Sequence, residues 1–177
     1  MGCRTRRRFS SVRSVLPILL AMLNDPKEEP YWSNIVITLC IIGDASAAKS
    51  VIDFIEKDPA GNLSARYYTA KSSAVMALGY LINRMGSREA LDYLKRSLDP
   101  KAWSERKIDW KATFQDSTTQ RDTQLSTMAV LGLALSGHRE AGDALRGLRR
   151  RPPSPAAEAF AAEAADTVSE SLSTAPH

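Results

Sequence analysis

The sequence predicts an all-α chain, an α-α superhelix built as a short solenoid of stacked helix hairpins, and three recurring features predict it. Glycines at Gly43, Gly86 and Gly137 are each followed four residues later by alanine (Ala47, Ala90, Ala141) and eight residues later by an aliphatic (Val51, Leu94, Leu145). Steps of four place these residues on one stripe of a helix, whereas a strand would alternate in steps of two. Asp-Pro pairs at Asp25-Pro26, Asp58-Pro59 and Asp99-Pro100 each follow an amphipathic apolar segment. Proline has no amide donor and clashes with the preceding turn, so each pair ends a helix and opens a turn. A helix-sized apolar segment also precedes each glycine, and the resulting unit is helix, glycine elbow, helix, Asp-Pro turn.

In chain order, residues 1–11 form a basic N-terminus expected to be disordered. The stretch TRRRFSSVRSVLPILLAML carries basic residues ahead of a short apolar run. It has the outline of an export signal of the twin-arginine kind, but Arg13 stands close to the apolar run and no small-x-small cleavage site follows. The repeat gives VLPILLAMLN another use, as the second helix of an N-terminal unit whose first helix is missing or cut short. The expected location is therefore the cytoplasm, with export as the alternative.

The first full unit pairs Trp32–Ile42, with Ile35, Leu39 and Ile42 on one face, with the segment after Gly43, where Asp44 and Ser46 supply helix-start chemistry. Residues 43–50, GDASAAKS, admit a second reading as a phosphate-cradling loop after a strand, since Gly43 and Lys49-Ser50 fit G-x-x-x-x-G-K-[ST]. Ala48 stands where that loop needs its second glycine, and no later apolar strand ends in a magnesium-holding aspartate. The second unit runs from Arg66–Met85, with Ala74, Leu78 and Leu81 on one face, across Gly86 to Asp99-Pro100. The third runs from Thr123–Ser136, with Met128, Leu131 and Leu135 on one face, across Gly137 to about residue 150. The glycines are 43 and 51 residues apart. The excess is an inserted loop, 101–122. After it, 151–177 brings RPPSP, a stiff break, and SPAAEAFAAEAADTVSESL, expected to be a capping helix with Phe160, Ala164 and Val168 on one stripe and a frayed end.

LPILLAMLNDP, TLCIIGDASAAKSVIDFI, ALGYLINRMGSREALDYLKRSLDP and VLGLALSGHREAGDAL together resemble the HEAT repeats, including the bacterial subset called HEAT-like or phycobilisome-lyase-like, over residues 12–150. The match is to a Leu-Gly-x-x-Gly-Asp turn followed by an alanine-bearing second helix. Cys40 departs from it in place of the first glycine, and the gaps Gly79–Gly86 and Gly132–Gly137 are longer than usual. The resemblance implies a curved face, lined mainly by the second helices, that binds another macromolecule. The expected function is a non-catalytic scaffold or adaptor with a protein partner. The same architecture implies an alternative, a nucleic-acid-binding protein similar to the HEAT-like DNA glycosylases, but no residue of that group's motif can be matched here.

Composition is that of a folded globular chain: 177 residues, 44% hydrophobic, 25% charged. The formal net charge of +4 sits largely in RTRRR at Arg4–Arg8 and in LRGLRRR around Arg146–Arg151. Such runs permit an acidic protein or a nucleic acid as partner without requiring either. Two cysteines exclude a disulfide framework, Cys40 in its apolar run reads as a core thiol, and His138 and His177 share no metal-ligand spacing, so no metal or cofactor is expected. No Ser/His/Asp or Cys/His arrangement emerges. The candidate partner-binding residues are Lys95, Arg96, Arg146, Arg149 and Arg150 on the second helices, and Trp103 and Trp110 in the insertion. There, aromatics among basic side chains either stack on bases or pin a long connection to the helices beneath.

Overall fold

The computed structural model describes residues 8–59, 62–106, 108 and 110–149. The basic run before Arg8, the proline-rich break and the expected capping helix lie outside the described residues. Among the described residues eight α-helices follow one another: α1 (Arg8–Asn24), α2 (Trp32–Ile42), α3 (Ala45–Glu56), α4 (Ala65–Met85), α5 (Arg88–Arg96), α6 (Pro100–Glu105), α7 (Thr118–Ser136) and α8 (Arg139–Arg149), with a 3-10 segment at Pro26–Tyr31. Among the described residues the only β-type pairing is a single bridge, Leu63 with Ala112. Ile35–Ile42, which a phosphate-loop enzyme would need as a strand, is inside α2. That reading of residues 43–50 is thereby corrected: Asp44 caps α3 by accepting from the Ser46 amide, and Lys49 pairs with Asp53 at 2.9 Å on an exposed face.

The glycine elbows fall where expected. Gly86 and Gly137 take φ of +60° and +58°, the left-handed conformation that ends α4 and α7 and that a side chain would strain. Gly43 closes α2 with φ −64°, and its requirement is space: a Cβ there would lie 2.2 Å from the Leu39 carbonyl oxygen and 2.7 Å from Ala47 Cβ. The stripe after each glycine is core, with Ala47, Ala90, Ala141, Val51, Leu94 and Leu145 all fully buried.

The Asp-Pro pairs do more than stop a helix. Asp25 and Asp99 adopt nearly the same backbone (φ −90°, ψ 116° and φ −91°, ψ 118°), and each carboxylate accepts from the amide two residues on, at 2.9 Å. Each therefore caps a new short helical segment whose first residue is the proline. Before Asp58-Pro59, α3 ends at Glu56.

Two rows of helices form by contact. α1 packs on α2, α2 on α4 and α4 on α7, while α3 packs on α4 and α5, and α5 on α7 and α8. α4 and α7 meet backbone to backbone at Gly79 and Gly132, where a Cβ on Gly79 would lie 2.1 Å from the Gly132 carbonyl oxygen. The two glycines that stretch the expected turn motif are thus crossing points of two helices.

Three boundaries differ from expectation. α1 starts at Arg8, inside the segment expected to be disordered, because Leu16, Leu19 and Leu20 pack against the core and the helix extends back from them. α7 starts at Thr118 rather than Thr123, with Ser117 as its cap, so helix takes both ends of the inserted loop and leaves residues 106–117 as the connection. On α7 the buried face is Leu125, Ala129 and Leu133, whereas Leu135 is exposed and Met128 and Leu131 are half-buried. Apolar residues stand all round that helix, so spacing alone did not select its inner face.

Candidate interaction surface

The insertion is held down by three cations. Trp103, on α6, is fully buried, and its indole N–H donates to the Ser97 carbonyl at 3.1 Å. The Arg106 guanidinium lies 4.3 Å from the Trp103 ring and 4.5 Å from Tyr93, donates to Ser97 Oγ at 3.0 Å and sits 3.9 Å from Glu56. Trp110 is also fully buried, between the Lys71 ammonium at 4.8 Å and the Arg121 guanidinium at 5.4 Å. Arg121 donates to the carbonyls of Ile108 and Trp110 and pairs with Asp122 at 2.6 Å, the pair being almost wholly buried. Asp122 in turn accepts from Ser104 at 2.7 Å, which ties α6 to α7.

Lys71 is the most unusual of the three. Its Nζ donates to the carbonyls of Phe54, Ile55 and Lys57 at 2.7, 2.8 and 2.8 Å, satisfying acceptors that the end of α3 leaves open. The rings of Phe54, Tyr67 and Trp110 stand 5.3, 5.1 and 4.8 Å from it, within cation–π reach. Burial pushes its pKa down to about 7. Sequence reasoning missed Lys71 and Arg121 as organising residues, although a signal existed for Lys71: it stands three residues before Ala74, on the apolar stripe that continues to Leu78 and Leu81.

Burial removes Trp103 and Trp110 from any surface a partner can reach: they pin the connection to the helices beneath. Of the other candidates, the structure brings Lys95 and Arg96 onto the exposed side of α5, beside a shallow groove of about 510 Å³ that Glu89 and Asp92 also line. Arg146 lies on α8 and pairs with Asp143. Arg149 is the last residue of α8, its side chain beyond description, and Arg150 lies outside the described residues.

Along α3, α5 and α8 the exposed charges neutralise each other. Lys49 meets Asp53, Arg88 meets Asp92 at 3.1 Å and Glu140 at 2.7 Å, and Lys95 lies 3.5 Å from the same Glu140. The Arg88 guanidinium, with Lys95 behind it, holds the Glu140 carboxyl below its usual range. Glu140 therefore joins α5 to α8 across two successive units. Among the described residues Arg96 has no ion-pair partner on this face.

The remaining chemistry is modest. Cys40 is a buried free thiol whose pKa burial pushes up to about 12, so it stays protonated and unreactive. Among the described residues no group of three or more His, Cys, Asp or Glu side chains could hold a metal ion, and no helix is long and apolar enough to cross a membrane. Comparison with protein-family models, with curated proteins and with solved structures finds no match to this chain.

Proposed function

We propose that this protein is a non-catalytic scaffold, a short α-α superhelix of the HEAT-like kind, whose α3, α5 and α8 face binds a protein partner. The observation that carries the reading is the charge pattern of that face. Lys49, Arg88, Lys95 and Arg146 are matched by carboxylates in a row running from Lys49–Asp53 through Arg88–Asp92 and Glu140 to Asp143–Arg146, with Arg96 left over. A nucleic-acid backbone is uniformly negative and would meet those carboxylates as well as the cations, whereas a protein surface of mixed charge can answer both signs. Burial of Trp103 and Trp110 also takes two of the insertion's three aromatics away from stacking on bases and leaves Phe114 as its exposed ring. The cytoplasm, a reducing compartment, suits the free thiol of Cys40.

The test is affinity capture from the native organism with the wild-type chain and with the double variant Arg88→Glu, Arg96→Glu. A protein retained by the first and lost by the second, with helical content unchanged, supports the reading. Binding of duplex or single-stranded DNA or RNA with an affinity that falls steeply with salt, and with no protein captured, overturns it in favour of a nucleic-acid partner.

A further inference from the structure

The outer side of the α4 and α7 pair differs in chemistry from the α3, α5 and α8 face. α4 carries no aspartate or glutamate, and the one carboxylate of α7, Asp122, is buried against Arg121. Met76 and Tyr80 on α4, and Met128, Leu131 and Leu135 on α7, follow helical spacing on the sides that the core leaves open. The first four are half-buried and Leu135 is exposed. Between the two helices runs a groove of about 390 Å³ walled by Met76, Met128, Tyr68 and Phe114 of the connection, and no charged side chain lines it. The Phe114 ring meets Tyr68 edge-on at 5.4 Å yet stays 54% exposed. Tyr68 and Gln115 both donate to Gln124 Oε1, at 2.8 and 2.6 Å, which fixes that wall.

The exposed charges of α4 are of one sign, and they argue for what fills the groove. Arg66 and Arg84 stand eighteen residues apart, about five turns, so both project from one side of the helix, and Arg84 continues the Met76, Tyr80 row in steps of four. Both are exposed, and among the described residues neither has an ion-pair partner. Glu29, which shares a smaller groove with Arg66, accepts instead from Ser64 at 2.5 Å. A second copy laid on this face would set arginine against arginine, and a nucleic-acid backbone has no apolar side chains to fill the groove. An amphipathic helix bearing carboxylates answers both features. Its apolar stripe fits a channel between two helices, methionine walls adapt to its shape, and carboxylates about 27 Å apart reach both arginines.

We infer that the groove between α4 and α7 holds an acidic amphipathic helix of a protein partner. Phe114, Met76 and Met128 take its apolar side chains, and Arg66 and Arg84 take a carboxylate near each end. This surface is separate from the α3, α5 and α8 face.

The test is fluorescence anisotropy of the full chain with a labelled synthetic helix of about 18 residues, leucine in steps of three and four and glutamate elsewhere on its length. A control peptide has lysine in place of every glutamate. The acidic peptide is expected to bind in the micromolar range and the lysine peptide at least about 10-fold more weakly. Phe114→Glu, at an exposed site, weakens the acidic peptide about 100-fold and Leu135→Glu about 10-fold, with far-UV circular dichroism unchanged. The double variant Arg66→Glu, Arg84→Glu reverses the preference between the two peptides. An acidic peptide that stays unbound at millimolar protein, binds no more tightly than the lysine peptide, or ignores Phe114→Glu overturns the inference. So does a dimer, or flotation with anionic vesicles, that Phe114→Glu abolishes, since the groove would then belong to a second copy or to a lipid surface.

Discussion

Lys71 gives the clearest residue-scale prediction. Its pKa, pushed down by burial to about 7 against 10.5 for the exposed side chain, means that between those values the unfolded chain holds a proton the native chain has released. Stability therefore rises with pH across that window, and the cost of the buried charge is fully present below pH 7. Cys40 acts oppositely above its ordinary value of 9, where only the unfolded thiol ionises, so the rise is expected between pH 7 and 9, the two effects offset each other between 9 and 10.5, and a decline follows above 10.5. Melting temperatures measured across that range in wild type and Lys71→Met should show the upward slope flattened in the variant; an unchanged slope would remove Lys71 as its source. Trp103→Ala should cost about 3–5 kcal/mol in denaturant unfolding, because it empties a fully buried site and strands the Ser97 carbonyl. At this scale the sequence marked Trp103 and Trp110 as the notable aromatics of the insertion but left their role open. Whether an aromatic points into a core or out from a loop depends on which helices lie beneath it, and local spacing does not encode that.

At the scale of elements, the helix ends were legible because glycine and proline act locally. Gly86 and Gly137 end helices in a conformation that other residues resist, and the Asp-Pro pairs carry both a missing donor and a capping carboxylate. The glycines inside α4 and α7 have a different cause, the approach of two helix backbones. Gly79→Ala would drive a Cβ into the Gly132 carbonyl and is expected to cost about 1–3 kcal/mol or more, since the obstruction is backbone. Gly147→Ala in α8, where a Cβ meets nothing within 4 Å, should stabilise by up to about 1 kcal/mol through helix propensity alone. Chemical denaturation of the two variants checks the contrast; equal effects would mean that α4 and α7 do not approach as described. Spacing could not separate these two kinds of glycine, nor choose the inner face of α7, because both depend on a partner helix distant in sequence.

For the whole molecule, the connection from Arg106 to Ser117 decides how the units cohere. Lys71 joins the end of α3 to α4 beneath Trp110, Arg121 joins α7 to the carbonyls of the connection, and Arg106 stands between α5, Trp103 and Glu56 of α3. Leu63, ahead of α4, pairs with Lys111 and Thr113 through backbone bonds of 2.7 and 3.1 Å. The expected outcome is a single cooperative transition, with tryptophan fluorescence from Trp32, Trp103 and Trp110 melting together with far-UV helicity. An early fluorescence change at constant helicity would show the connection detaching by itself. The amino-acid sequence alone determined that this chain is helical, where most of its helices end, and which residues after each elbow turn inward, because capping, proline chemistry and helical period act over a few residues. Only the tertiary structure decided that charged side chains lie in the core, that two tryptophans are pins, and that the charges of α5 and α8 neutralise each other across units. Those outcomes follow from burial and proximity between segments far apart in the chain, where desolvation and mutual pairing outweigh local preference.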